Sequence, residues 1–220
     1  MLLKTQFEIR YTNILDFPSR YKAIVSPFLK LATFNMQAIG TPEEYIVLTF
    51  NNEPCAIDVR WDKIIFYTTQ NKVSSLFEKN GPSSSFFEIF ERLKALDSFG
   101  QVKNALLAIW WLNESLTQPQ YLEKYVKKLV NVEGFSLDDI GIIEEYTNKD
   151  KELVKVEHGL FKPDKDLPRF GIADADGELK KKSGQFVHLI MVKKSIAPNI
   201  EEFRKMNSKL ENIFDNQFKI

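Results

Sequence analysis

Apolar and polar positions alternate with period two from Gln6 to Thr12, where Phe7, Ile9 and Tyr11 share one face, and this predicts an opening strand. Asp16 then stands where a helix N-cap belongs, with Pro18 in the first turn and Tyr21, Ile24, Val25 and Phe28 following at helical spacing. Pro27 should kink that helix or end it near Ser26, because its ring removes a backbone donor. Thr41-Pro42 breaks the chain, and three strand-like runs follow over residues 45–50, 55–60 and 63–69. Asn51-Asn52-Glu53-Pro54 is a turn between the first two of these, and Trp61-Asp62 between the next two. Gly81-Pro82-Ser83-Ser84 reads as a loop. Ser85 and Glu88 form a capping box for a helix carrying Phe86, Ile89, Phe90, Leu93 and Leu96, which Asp97-Ser98-Phe99-Gly100 ends.

The second half of the chain runs in the same order. Residues 106–112 are an apolar stretch of strand length. Thr117 can cap a helix with Pro119 in its first turn, Gln120 at the capping-box position, and Leu122, Tyr125, Val126 and Leu129 on its apolar face. Strands are expected over residues 140–146, 153–161, 169–173 and 185–192. Asn199 and Glu202 then make a further capping pair for a closing helix with Ile200, Phe203, Met206, Leu210, Ile213 and Phe214. A shift of about 101 positions carries Asp16, Pro18, Tyr21, Ile24, Val25 and Phe28 onto Thr117, Pro119, Leu122, Tyr125, Val126 and Leu129.

The shared order, cap-then-Pro spacing and apolar face suggest a tandem duplication of a β-α-β-β-β-α unit, with residues 1–100 as the first half and 101–220 as the second. The connection 97–101 is too short for a flexible tether. Two rigidly docked halves, or one merged sheet, are therefore expected. The fold class is α+β, largely antiparallel, with helices packed on the sheet. The run from Ala105 to Ser115, the Tyr121-Leu122-Glu123-Lys124-Tyr125 helix, Asp174-Ala175-Asp176 and the closing helix ending in Phe214 together resemble a family of uncharacterised, sporadically distributed bacterial proteins. Where that family tends to have Arg-Tyr-Ile-Asn, this chain has Trp110-Trp111-Leu112-Asn113. The resemblance implies a bacterial protein of two-part α+β layout and carries no activity with it. In order of elements the unit is also similar to TATA-binding-protein repeats and to helix-grip ligand binders, an analogy of fold alone.

Composition narrows the chemistry. Of 220 residues, 30 are Lys or Arg and 30 are Asp or Glu, so the formal net charge is zero, which argues against a dedicated duplex-DNA or anionic-membrane binder. No secretory signal is visible at Met1-Leu2-Leu3-Lys4. The longest wholly apolar run, residues 105–112, is far short of the roughly 20 residues a membrane helix needs. A cytoplasmic setting is the expectation. The lone cysteine, Cys55, excludes an intrachain disulfide or a Cys-built zinc cage and reads as a small core residue.

Several strings invite chemical readings. Pro163-Asp164 followed by Glu178-Leu179-Lys180 fits a loose nuclease pattern, in which Asp164 and Glu178 would hold a divalent metal and Lys180 would orient water. Its flanks read more simply as a solvated turn. Asp174-Ala175-Asp176-Gly177 has the look of a calcium loop, but Ile172 and Ser183 stand where an EF-hand needs acids. His188 shares a strand face with Phe186 and Ile190, and His158 with Val154 and Val156, as buried core histidines do. Were the two neighbours across paired strands, a two-His metal site would be conceivable. Lys180-Lys181-Lys182 and Lys193-Lys194 form a local basic cluster that reads as a solvated face. There is no phosphate-cradling glycine motif and no nucleophile elbow. Trp110 and Trp111 must point to opposite faces of a strand. One of them, or one of Phe86 and Phe87, could line a ligand pocket or an interface, as could His158 and His188.

Three functional classes follow. The first is a non-catalytic binding or interaction protein whose partner is another protein or a second copy; it predicts an exposed apolar patch. The second is a small-ligand binder, which predicts an apolar cavity between sheet and helix. The third is a metal-dependent nuclease, in which Asp164, Glu178 and Lys180 would have to converge. No cofactor is expected.

Overall fold

A computed structural model of the protein describes residues 1–41, 43–51, 54–69, 76, 83–126, 140–174, 176–194 and 197–218. Its strands are β1 (Leu2–Tyr11), β2 (Ala32–Gln37), β3 (Tyr45–Phe50), β4 (Cys55–Val59), β5 (Lys63–Thr68), β6 (Val102–Asn113), β7 (Gly141–Thr147), β8 (Leu153–Leu160) and β9 (Gln185–Lys193). Its helices are α1 (Phe17–Val25), α2 (Ser83–Lys94), α3 (Gln118–Tyr121), α4 (Pro163–Phe170) and α5 (Ile200–Gln217). Short 3-10 turns cover Ser26–Phe28 and Leu179–Lys181, and a π turn, Leu122–Val126, follows α3.

All nine strands form one antiparallel sheet in the order β2-β3-β4-β5-β1-β6-β9-β8-β7. The fold is α+β. The sheet runs unbroken through the centre, where β1 pairs with β6 and Phe7 faces Leu107.

Alternation along the strands sorts side chains onto two faces. Phe7, Ile9 and Tyr11 of β1, Ile64 and Phe66 of β5, and Leu107, Ile109 and Trp111 of β6 all point to one face. There α1, α2 and α5 bury them under Tyr21, Ile24, Phe86, Phe90, Phe203, Leu210 and Phe214. The centre of this core is aromatic. Phe7 lies 5.2 Å from Phe66 and 5.1 Å from Phe203 between ring centroids, and Trp111 stacks on Phe214 at 4.6 Å. Cys55 is buried in this layer.

On the opposite face a smaller core lies under α4: Leu167, Phe170 and Ile172 cover Leu3, Ala108, Trp110, Leu112 and Phe186. A third cluster joins Tyr121, Leu116 and Leu160.

The local signals act much as sequence physics dictates. Pro18 sits in the first turn of α1, and the helix gives way to a 3-10 turn at Ser26-Pro27-Phe28. Asp16 precedes α1 but makes no cap hydrogen bond; its carboxylate pairs with Arg20 instead. The Thr117–Gln120 capping box forms with both of its bonds, and Asn199 accepts the Glu202 N–H at 3.0 Å to start α5.

Three expectations are corrected. No strand covers residues 169–173: Arg169 and Phe170 close α4, and Gly171 takes the left-handed conformation (φ 59°) that stops it. Ser85 does not cap its helix, which starts at Ser83, whose hydroxyl donates to the Leu76 carbonyl. An additional strand, β2, lies at the sheet edge, where Thr33, Asn35 and Gln37 dilute the apolar signal of Phe34 and Met36. Pro42, Asn52-Glu53, Gly81-Pro82, Leu129 and Ala175 lie outside the described residues.

Candidate functional site

Of the residues singled out by chemistry, the structure brings Trp110 and His188 into contact. Register alignment sets Lys4 opposite Trp110, Trp110 opposite His188, and His188 opposite Glu157, so one row crosses β1, β6, β9 and β8 on the face under α4. The Trp110 indole stacks on the His188 imidazole at 4.2 Å and 13°. The Lys4 ammonium lies 5.1 Å from the Trp110 ring and donates to the Phe170 carbonyl at 2.9 Å. Glu157 accepts from Arg169 and lies 3.4 Å from His188 Nδ1. Burial pulls the His188 pKa down, against the opposing pull of Glu157. The His188 hydrogen bond, with Arg169 adding its charge, keeps Glu157 below the usual carboxylate range. Burial also lowers the Lys4 pKa, with Asp58 opposing. Among the described residues the Trp110 indole N–H and His188 Nε2 have no hydrogen-bond partner, and Phe170 packs over both rings.

His158 faces the other way. Its Nδ1 lies 3.2 Å from both the Tyr121 hydroxyl and the Gln185 amide nitrogen. Burial, helped by Lys124, brings its pKa down to about 4.

His158 pairs across the ladder with Val187 and His188 with Glu157, so the two histidines lie on opposite faces of the sheet. The two-His metal site is thereby overturned. Among the described residues no group of three His, Cys, Asp or Glu could hold a metal.

Asp164 is exposed in the first turn of α4, while Glu178 and Lys180 are exposed at the 3-10 turn, where Glu178 pairs with Lys181. At the calcium-like string the Asp174 carboxylate accepts the N–H groups of Leu179 and Lys180, and Gly177 takes φ 71°. The basic cluster is largely neutralised, with Lys182 on Glu114 and Lys193 on Glu152 and Glu202. Trp111 and Phe86 are buried in the main core, and Phe87 packs against it. A pocket of 110 Å³ opens between the start of β1 and Ile172, Ala173 and Leu179, small beside the roughly 300–1,000 Å³ of ordinary ligand pockets.

The surface offers something the sequence reading did not locate. Leu29, Leu31, Phe34 and Ile39, on or beside β2, are each exposed, at 43%, 57%, 54% and 67%. Phe34 lies on the outermost strand of the sheet, which among the described residues has a neighbour strand on one side only. Neither β2 nor β3 contains a charged residue. Edge strands are ordinarily guarded by charge or proline; this one has neither. The signal that could have found it is the uncharged run Leu31-Ala32-Thr33-Phe34-Asn35-Met36-Gln37.

Compared with family models and with curated proteins, the chain matches none.

Proposed function

We propose that the protein is a non-catalytic interaction protein that engages a protein partner through the β2 edge of its sheet. The supporting observation is the uncharged edge strand with Leu29, Leu31, Phe34 and Ile39 exposed around it. Such an edge offers backbone donors and acceptors for strand addition, and the apolar side chains supply area to bury. The test is a photo-crosslinking side chain at position 34 in living cells. A discrete adduct at 34, absent when the crosslinker stands at exposed Lys205, is expected. The absence of any adduct at 34 would sink the reading.

Two further points belong to this proposal. A reducing, cytoplasmic setting suits a chain whose single cysteine, Cys55, is buried. An origin by duplication is favoured by the parallel layout of the halves: β5 flanks β1 and β9 flanks β6, while β1 and β6 pair at the centre. The halves also differ: among the described residues one contributes five strands and the other four.

A further inference from the structure

We infer that the partner at this edge is a second copy of the chain, with β2 pairing antiparallel to β2 across a twofold axis at Phe34. The inference rests on the interaction reading above and names its partner.

The backbone decides the register. The Asn51 N–H donates to the Leu31 carbonyl at 3.3 Å, and this pair continues the ladder in which Ala32 faces Phe50. Antiparallel neighbours alternate between pairs that exchange hydrogen bonds and pairs that do not. Thr33, Asn35 and Gln37 therefore direct their backbone groups at β3, as the Leu31 carbonyl does, while the Leu31 N–H donates to the Phe28 carbonyl. Ala32, Phe34 and Met36 turn theirs outward.

A twofold axis normal to the sheet at Phe34 sets Phe34 opposite its own copy and Ala32 opposite Met36, so every outward group within the strand finds a partner. Moving the axis to Asn35 would set Ala32 against Ala38, which lies past the strand end with φ 50°.

Charge favours the same choice. The opposite edge, β7, carries Glu144 and Glu145 at its centre, where self-pairing would bring like charges together. β2 has no charge to repel its copy. A closed twofold pair uses up the unguarded edge and leaves the acidic edge β7 outside, so the assembly stops at two.

Sedimentation equilibrium and native mass spectrometry of the full chain test this. A dimer is expected at tens of micromolar, with dissociation at least tenfold easier in Phe34→Lys, which sets two ammonium groups face to face. Thr33→Lys, exposed on the other face, is the second variant, and an unchanged thermal midpoint confirms that each still folds. In Phe34→Cys, Cα atoms about 5.5 Å apart across the axis suit a disulfide, so rapid oxidation to a covalent dimer is expected, whereas Leu15→Cys should form no covalent dimer. A chain monomeric at a hundred micromolar, or a dimer indifferent to both lysine variants, overturns self-pairing. A photo-adduct at position 34 of some mass other than twice the chain would then leave the interaction reading standing without it.

Discussion

Single residues set how this protein responds to acid. His158 is neutral in the fold, its pKa near 4 against 6.5 when free. Between those values the unfolded chain takes up a proton that the folded chain refuses. The stability tied to this group is therefore complete above pH 6.5 and falls as the pH drops toward 4, by about 3 kcal/mol in all. His188, also lowered by burial, adds in the same direction. Urea midpoints measured from pH 7 to pH 4 should fall steadily, and His158→Gln should flatten the slope. Glycine matters where the backbone is crowded. A Cβ on Gly159 would meet the Ile140 carbonyl oxygen at 2.4 Å and the Phe186 ring at 2.7 Å. Gly159→Ala should cost about 1–3 kcal/mol, read as a lowered thermal midpoint.

At the scale of elements, α5 holds the sheet's helical side together. Phe203 reaches Phe7 on β1 and Phe86 and Phe87 on α2, so Phe203→Ala should cost about 3–5 kcal/mol in chemical denaturation. Asn199→Ala should cost about 1 kcal/mol by freeing the Glu202 N–H at the helix start. These elements were legible in sequence because cap, proline and apolar stripe agree within each of them. So were the buried strands, whose alternation follows from one face meeting a core. What escaped did so for identifiable reasons. The helical signals of α4, Pro163 at its start and Gly171 past its end, were present but outweighed by the apolar character of Phe170 and Ile172. β2 has too little buried surface to imprint a clear alternation. The separation of His158 from His188 depends on a one-residue register offset between β8 and β9, which no reading of one strand at a time reveals. The candidate site was legible only as residue types. Its place at a bare edge depends on strand order, a long-range property.

At the scale of the whole molecule, the strands of the described residues form one sheet whose central pair joins β1, at the start of the chain, to β6, near its middle. Cutting it there would bare two central strands, not two natural edges. A fragment of residues 1–101 should be insoluble or misassembled when expressed alone, while co-expression with residues 102–220 should recover soluble complex, checked by size-exclusion chromatography. The carboxylate of Glu152 fastens the far side of the same sheet, receiving Lys209 of α5 at 2.8 Å and Lys193 of β9 at 3.5 Å.

The Trp110–His188 stack gives the protein an optical gauge of its own. A neutral imidazole against an indole leaves its emission largely intact, whereas an imidazolium drains the excited state by taking up an electron. Because burial delays the protonation of His188 to below its ordinary range, the glow of Trp110 should hold through neutral pH and dim only in acid. That dimming step should vanish in Trp110→Phe, while Trp111, stacked on Phe214, keeps its light. Fluorescence alone would then follow the state of the α4 face without a label.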